Sequence, residues 1–376
     1  MAFICAKVIM EDVQDTKSLL KVMEKEGFGT DDIVGIAAKT EGNGGVNDFG
    51  RVLVDRMLRD FFVSNGSRTR EQAMEIPIAL SGGCPGFITP HLNVFAKVKD
   101  TKPTDEPRLA VGKSISEAIL PEDIGRPEGV RKIAEGVKIA MADSGIQNPK
   151  DVHYVQTKSP LLSMERIAEA LNRGKTVVTE EANESMAIGN ATAALGVGVA
   201  LGEFDMPRDE QIGKDLDLYS SVASCSTGVE QDEAQIMVVG NKRGIGGRFR
   251  VGHSVMKDAL DIDGVYDAIR DAGLNLPDHP HPSDLGNALV NCFVKCETDQ
   301  MGRLRGKRLV SLNDSDVHHT LHTKAAVGGV VSAITGDPAM FISVAALQQG
   351  PAGGGMVAAI IDTSQIQYFN IGLIYI

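Results

Sequence analysis

The chain has 376 residues, of which 43% are hydrophobic and 23% are charged, a composition typical of soluble globular proteins with two or three domains. Its net charge of −12, without any basic cluster, makes nucleic acid and anionic membranes poor partners. The five cysteines form no CxxC pair, which argues against a disulfide framework or a zinc ribbon and indicates a reduced, cytoplasmic protein. We also expect no signal peptide and no apolar run of membrane-spanning length.

The first hundred residues predict six elements in the order strand, helix, strand, helix, strand, strand. They are a strand at 6–10, a helix from Asp15 to Gly27, a strand at 35–39, a helix at 52–62, a strand at 76–80 and a strand at 93–98. Asp15 is a helix-capping residue and Gly27 is a residue that commonly ends helices, so these two positions set the bounds of the first helix.

The same order of elements follows twice more, which indicates an internal repeat. The second copy has strands at 111–115, 154–158, 218–225 and 234–239, one helix ending at Gly145 and another at 185–202. The third copy has strands at 251–255, 292–297, 339–342 and 356–361, one helix ending at Gly273 and another at 324–335. Polar stretches at 99–107 and 242–247 separate the copies, which predicts repeats at 1–103, 108–243 and 248–376. We therefore predict an α/β (α+β) fold of three β-α-β-α-β-β repeats.

A lysine ends the second strand of each repeat, and a serine follows the third strand. The lysines are Lys39, Lys158 and Lys295, and the serines are Ser81, Ser226 and Ser343. Such strand ends can converge on a pseudo-threefold axis, where a neutral lysine can take the proton of a serine hydroxyl. Burial and nearby lysines favour the neutral form of lysine. A surface lysine and a turn serine explain one such pair, but three matching pairs favour a functional site.

Several short motifs, many of them rich in glycine, are spread along the chain. They are KTEGNG at 39–44, VNDFGR at 46–51, SGGCPGFITPH at 81–91, ALGV at 194–197, LGE at 201–203, VGGV at 327–330, GD at 336–337, QGP at 349–351 and GGG at 353–355. Together they closely resemble the cyanuric acid hydrolase/barbiturase family of ring-opening amidohydrolases. The resemblance covers essentially the whole chain, and the combination of motifs is specific.

The resemblance implies three like domains around one central β-barrel, with the helices outside and one pocket on the pseudo-threefold axis. It implies a small-molecule substrate, a cyclic imide or ureide that is opened at a ring carbonyl without an organic cofactor. Lys158 and Ser226 would form the working dyad, as base and nucleophile. The implied substrate-binding residues are Lys39, Arg51, Ser81, Gly82, Asn190, Thr227, Lys295, Lys324, Ser343 and Val344. The resemblance also implies a homo-oligomer, a tetramer.

A structural metal site is implied by the same resemblance. Its expected ligands are Glu297, Ala346, Gln349, Gly350, Pro351 and Gly354. Carboxylate and backbone carbonyl oxygens suit Mg²⁺ or Ca²⁺, which would brace the loop after the third serine. The alternative is a glycine-rich turn that holds no metal.

Three departures from the family pattern concern the predicted pocket. Arg51 stands where the first arginine of the family belongs, whereas the second position is Asn190 and the third is Lys324. Val344 and Ala345 follow the third serine in place of two glycines. Because asparagine and lysine cannot reproduce the fork of an arginine, we expect a ring that is less symmetric than cyanuric acid.

Two alternatives remain open at this stage. The lost arginines favour a catalytically silent small-molecule binding protein on the same scaffold, whereas the three Lys–Ser pairs favour an enzyme. In the proline-containing stretch 276–284, His279 and His281 could suggest a metal site. We predict a solvated loop there, because no cysteine or carboxylate cluster with ligand spacing accompanies the histidines.

Overall fold

The computed structural model describes residues 1–100 and 102–366. These residues form a mixed α/β fold with three four-stranded sheets and one two-stranded ribbon. Each four-stranded sheet is drawn from residues within one of the predicted repeats 1–103, 108–243 and 248–376, and the repeat boundaries themselves stay a prediction.

The first sheet and its helices contain seven elements. They are β1 (Ala2–Ile9), α1 (Thr16–Glu26), β2 (Ile33–Thr40), α2 (Phe49–Asn65), α3 (Arg70–Met74), β3 (Ile78–Gly82) and β4 (His91–Val98). The strand order across the sheet is β1-β4-β2-β3, and β2 and β3 are parallel. As predicted, the Asp15 carboxylate caps α1 by accepting a hydrogen bond from Ser18 N, and Gly27 ends it with φ 74°.

The second sheet repeats this arrangement with a longer insertion. Its elements are β5 (Arg108–Ile115), α4 (Pro127–Ser144), β6 (Val152–Pro160), α5 (Met164–Asn172), α6 (Ala182–Leu201), β7 (Ala223–Gly228) and β8 (Gln235–Lys242). The strand order is β5-β8-β6-β7, with β6 and β7 parallel. Gly145 ends α4 in the left-handed conformation, as the sequence predicts.

The third sheet has the same strand order again, β9-β14-β10-β13, with β10 and β13 parallel. Its elements are β9 (Phe249–Met256), α7 (Ile262–Asp271), α8 (Pro282–Leu285), β10 (Leu289–Lys295), β11 (Arg303–Leu304), β12 (Lys307–Arg308), α9 (His319–Thr335), β13 (Phe341–Ser343) and β14 (Gly355–Asp362). The ribbon β11–β12 and the short helices α3, α5 and α8 are additions to the predicted pattern. His279 and His281 are exposed in the loop that leads into α8.

The three sheets meet through a common hydrophobic core. The Phe293 ring on β10 lies 4.8 Å from the Tyr154 ring on β6 and 6.1 Å from the Phe95 ring on β4, centroid to centroid. Such aromatic contacts add to the stability gained by burying apolar area. The predicted central barrel is not confirmed, because backbone pairing stays within each sheet and no sheet closes among the described residues.

Helix α6 corrects one expectation. It has 20 residues and is apolar enough to cross a membrane by length and composition, although the sequence analysis expected no such run. Its most apolar window is 61% buried inside the protein, where it packs beside α4 and β7. A helix that is apolar on all sides is also what the centre of a large soluble fold requires.

Candidate active site

The register of the parallel strand pairs places each predicted lysine directly beside its serine. The pairs are Lys39 with Ser81, Lys158 with Ser226 and Lys295 with Ser343. All three lysines are buried, with exposed fractions of 3% or less. The three strand pairs therefore hold three lysines and three serines at equivalent points of the three sheets.

Lys39 has a second buried lysine, Lys324, as a positively charged neighbour. Its Nζ donates to Gly83 O at 2.6 Å and lies 3.2 Å from Ser81 Oγ. Burial, followed by the charge of Lys324, holds the pKa of Lys39 well below its usual range. This pair therefore has both the hydrogen bond and the reduced basicity that a lysine needs to activate a serine.

Lys158 has a different set of partners. Its Nζ donates to Thr227 O at 2.7 Å and lies 3.2 Å from a carboxylate oxygen of Glu230. Burial lowers the pKa of Lys158, and the negative charge of Glu230 partly offsets this effect. Ser226 is more exposed than the other two serines, and its Oγ donates to Thr157 O at 3.3 Å. The most accessible hydroxyl thus lies beside an ion-paired lysine.

The third pair lies against the loop that departs from the family pattern. Lys295 Nζ donates to Val344 O at 2.9 Å, and burial lowers the pKa of Lys295 to about 8. Ser343 is buried. Ala345 has a φ of 57°, in the left-handed region that glycine adopts freely and that costs a side-chain-bearing residue about 1–2 kcal/mol. The loop therefore keeps a conformation suited to glycine although the glycine is absent.

Two of the residues at the three predicted arginine positions, Lys324 and Asn190, contact serine loops of other sheets. Lys324 on α9 donates from Nζ to Gly82 O at 2.8 Å in the first sheet. Asn190 on α6 donates from Nδ2 to Ala345 O at 3.0 Å, after the third serine. The positive charge of Arg51 on α2 acts on Lys158 and lowers its pKa. Helices α9 and α6 therefore each support a serine loop that belongs to another sheet, whereas Arg51 on α2 donates from Nη2 to Gly45 O at 2.7 Å within its own repeat.

Asp48 is a buried member of this site that the sequence analysis did not assign. It caps α2 by accepting from Arg51 N at 3.3 Å, and its Oδ2 accepts from Gly44 N at 2.7 Å. A Cβ at Gly82 would lie 2.0 Å from Asp48 Oδ2, which explains why glycine follows the first serine. Asp48 Oδ2 also lies 3.6 Å from Arg51 Nη1, so the carboxylate fixes both the loop and the guanidinium.

Two buried polar atoms of the predicted site residues lack a hydrogen-bond partner among the described residues. They are Arg51 Nε, a donor, and Asn190 Oδ1, an acceptor. The acceptor assignment follows from the hydrogen bond that Asn190 Nδ2 donates to a carbonyl oxygen. A buried polar atom without a partner costs about 1–3 kcal/mol, so a ligand that pairs with these atoms recovers that free energy.

A cavity of about 450 Å³ lies next to Lys324 and the loop after Ser343, and neither Arg51, Asn190 nor the three lysine–serine pairs are among its lining residues. Its walls include Asn43, Met186, His319, Lys324, Val344 and Ala345. The volume falls in the range of small-molecule sites, which bury most of a ligand's surface. Val344 and Ala345 therefore form an apolar part of the wall of this cavity, and their predicted effect on the substrate pocket stays a prediction.

Four of the six predicted metal ligands line one small cavity, and the other two do not. Glu297 is buried, and burial raises the pKa of its carboxyl to about 7. A cavity of about 10 Å³ lies beside Glu297, Ala346, Gly350 and Pro351, and this volume is close to the minimum for one water molecule. A buried carboxylate next to backbone carbonyls is a donor set that fits a hard cation.

Two of the predicted ligands have other contacts. Gln349 uses its side chain to connect serine loops, because its Oε1 accepts from Cys225 N at 2.5 Å and its Nε2 donates to Ala345 O at 3.0 Å. Gly354 O accepts from Glu297 N at 3.0 Å. Gln349 and Gly354 therefore hold the segments around the predicted metal site in place. Each could bind a cation only through the second lone pair of its backbone carbonyl oxygen.

Sequence reasoning missed Glu230, Asp48 and the side-chain role of Gln349. Glu230 follows Ser226 by four residues, and an acidic residue so close to a candidate nucleophile was a usable signal. Asp48 lies inside the VNDFGR motif and could have been identified as the cap of α2. The contact from Gln349 to Cys225 joins residues 124 positions apart, so no local sequence pattern predicts it.

Comparison with known proteins gives the family to which this chain belongs. A model of the amidohydrolase ring-opening protein family matches residues 5–362, so the chain belongs to that family. Among curated relatives, Barbiturase 2 of Nocardioides sp. is 54% identical over 95% of this chain and 97% of its own length. Barbiturase 1 of the same organism is 52% identical, with the same coverage of both chains.

Solved structures support the same assignment. The crystal structure of cyanuric acid hydrolase from Azorhizobium caulinodans has a TM-score of 0.87 and 34% identity, covering 96% of this chain and 99% of that one. A second cyanuric acid hydrolase structure, described as an innovation by structural concatenation, has a TM-score of 0.89 and 32% identity at the same coverage. The resemblance found in the motifs is thereby confirmed.

Proposed function

We propose that this protein hydrolyses a ring amide bond of a barbiturate-like pyrimidine ring rather than of cyanuric acid. The observation that carries the proposal is the unequal set Arg51, Asn190 and Lys324, which offers an unpaired acceptor at Asn190 Oδ1. A pocket built for three identical carbonyls would present three similar donors. The identity of 52–54% to two barbiturases, against 40% to a cyanuric acid amidohydrolase of Enterobacter cloacae, supports the same choice.

The proposed reaction begins at the most accessible serine. Ser226 Oγ attacks a ring carbonyl carbon while its proton passes to Lys158 Nζ. Collapse of the tetrahedral intermediate breaks the ring C–N bond, and the leaving nitrogen takes the proton from Lys158. Water then hydrolyses the ester on Ser226, which releases a ring-opened ureido acid and restores the serine.

Glu230 is the ion-pair partner of Lys158, and although burial opposes the shift, the charges of Lys158 and Arg51 hold the pKa of its carboxyl below the usual value. Lys158 must be neutral to act as a base, and its Nζ lies 3.2 Å from the Glu230 carboxylate. We assign Glu230 as the acceptor of the lysine proton, so that the ion pair becomes a neutral amine and a carboxylic acid before the attack. The pairs Lys39–Ser81 and Lys295–Ser343 then hold the remaining ring carbonyls by hydrogen bonds, and Arg51 adds a charged donor.

A structural Mg²⁺ or Ca²⁺ ion beside Glu297 belongs to the proposal, and it would balance the buried carboxylate and brace the loop after Ser343. Val344 and Ala345 of this loop line the larger cavity, and Ala346 and Gly350 line the small cavity beside Glu297, so this loop connects the proposed cation site to the wall of the larger cavity. A homo-oligomer, a tetramer by the resemblance, and a cytoplasmic location complete the proposal. The location draws support from five free cysteines.

The nucleophile variants test the mechanism. Ser226→Ala should lower kcat for barbituric acid by about 10³-fold or more, since nucleophile and base act as a unit. Product formation is followed by mass spectrometry of the ring-opened acid. Ser81→Ala serves as the matched comparison, because Ser81 lies next to Lys39, whose pKa is held well below its usual range by burial and by the charge of Lys324. Full activity in Ser226→Ala together with loss in Ser81→Ala would move the nucleophile to the first pair.

A further inference from the structure

Two histidines and an aspartate lie close together where the second sheet meets the third, outside the candidate active site. His153 Nδ1 lies 2.9 Å from His253 Nδ1, and Asp271 Oδ2 lies 3.2 Å and 3.8 Å from these two nitrogens. Among the described residues, these three form the group whose ligand atoms all lie within 4.8 Å of one another. His153 comes from β6, whereas His253 and Asp271 come from β9 and α7. The group therefore joins the second sheet to the third.

Features of the backbone position the side chains of His153 and Asp271. His153 lies where the pairing of β6 with β8 shifts register between Val152 and Tyr154, and such bulges redirect a side chain. His253 N donates to Asp271 Oδ2 at 2.9 Å, which holds the carboxylate beside the ring of His253. Exposed side-chain fractions of 12% for His153 and 26% for His253 leave the group partly open to solvent.

The equivalent positions of the other sheets do not carry this chemistry. The same register shift occurs around Val34 in β2 and around Val290 in β10, so valine takes the place of His153. The strand position of His253, fixed by its pairing with Ala358, corresponds to Lys7 in β1 and Lys113 in β5. Because the three sheets share one backbone plan, two histidines at one corner are not a requirement of the fold.

The distances are compatible with a metal ion as well as with hydrogen bonds. Bond lengths of about 2.0–2.1 Å in a tetrahedral site put neighbouring ligand atoms about 3.3–3.4 Å apart, and the observed 2.9, 3.2 and 3.8 Å bracket that value. Two imidazole nitrogens that face each other at 2.9 Å repel unless a proton or a cation lies between them. Imidazole and carboxylate ligands suit Zn²⁺.

We propose that His153, His253 and Asp271 bind a Zn²⁺ ion that links the second and third sheets. The ion would take both Nδ1 atoms and one carboxylate oxygen, leaving its fourth position to water or another ligand. This site differs from the hard-cation site at Glu297, whose donors are all oxygen atoms. His153 precedes Lys158 by five residues of one strand, or about 17 Å at the usual rise, so the role is structural.

Metal binding by the full-length protein tests the proposal directly. After removal of metals with a chelator, the protein is titrated with Zn²⁺ by calorimetry and with Co²⁺ by visible absorption. We expect one Zn²⁺ per chain at this site and the visible d–d bands of tetrahedral cobalt. His153→Val and His253→Lys install the residues found at the equivalent positions of other sheets, so these variants should fold. Each should weaken Zn²⁺ binding by about 100-fold or more, since even outer partners of metal ligands contribute 10–100-fold.

Two controls separate this site from others. His279→Ala removes an exposed histidine outside the group and should leave Zn²⁺ binding unchanged. Glu297→Gln should also leave it unchanged, so failure of the proposed Mg²⁺ or Ca²⁺ site would not be mistaken for failure of this one. Zn²⁺ should raise the Tm of the wild type but not that of His153→Val. The absence of cobalt bands in the wild type, or equal Zn²⁺ affinity in His153→Val, would reduce the group to hydrogen-bonded histidines and overturn the proposal.

Discussion

Replacing Glu230 by glutamine provides a sensitive test of how Lys158 becomes a base. The substitution removes a negative charge whose carboxylate lies 3.2 Å from Lys158 Nζ. An opposite charge at such a distance shifts a pKa by about 1–3 units. Because the Glu230 side chain is 34% exposed, solvent screening favours the lower end of this range. We therefore expect Glu230→Gln to lower the pKa of Lys158 by about one unit.

The sign of the effect follows from the role of the neutral amine. If neutral Lys158 is the essential base, kcat/KM rises with pH up to the pKa of Lys158 and then levels off. Loss of the Glu230 charge disfavours the ammonium form, so the rise should move about one unit toward lower pH. If Glu230 also accepts the lysine proton, the plateau of kcat should fall by about 10²-fold or more.

The assay is a pH profile of kcat/KM for barbituric acid in the wild type and the variant. Asp232→Asn is the matched control, because Asp232 lies two residues away, is 84% exposed and pairs with Arg166 at 2.7 Å. This control should leave the profile unchanged. A Glu230→Gln profile identical to that of the wild type would refute the reasoning, since it would mean that the essential base is not Lys158.

Three further outcomes are expected. Ala345→Gly should stabilise the protein by about 0.5–1 kcal/mol in urea unfolding, because glycine relieves the positive φ of 57° at some cost in chain entropy. Phe293→Ala should destabilise it by about 3–5 kcal/mol in the same assay, because the ring packs against aromatic residues of the other sheets. Arg51→Ala should reduce kcat/KM more than Asn190→Ala, because it removes the guanidinium fork; equal losses would contradict the assigned roles.

The threefold repeat could be predicted from the sequence because each copy has the same order of elements and a glycine near the end of its first helix. Asp15 and Gly27 bound the first helix as expected, and Gly145 ends its counterpart. Gly273 lies two residues beyond the end of α7, whose last turn closes at Ala272. The short helices α3 and α5 were not predicted, because they lie in insertions that are too short to show a long periodic pattern of apolar residues.

The adjacency of lysine and serine was also predictable, since parallel neighbouring strands end at one edge of a sheet. The partners of Lys158 were not, because the turn after Ser226 decides that Thr227 O and Glu230 reach its Nζ. The meeting of His153 with His253 joins positions 100 residues apart on different sheets. Such contacts depend on how whole sheets pack, which no local periodicity encodes.

The ratio of kcat/KM for barbituric acid to that for cyanuric acid tests the central claim most directly. In the proposed pocket Arg51 supplies a guanidinium, whereas Asn190 Oδ1 is an unpaired acceptor at the second predicted arginine position, and a threefold-symmetric ring would need three comparable grips. Two lost charge-assisted contacts of a few kcal/mol correspond to about 10³-fold or more. We predict a ratio of at least about 10³ in favour of barbituric acid. A ratio near one, or one in favour of cyanuric acid, would contradict the account.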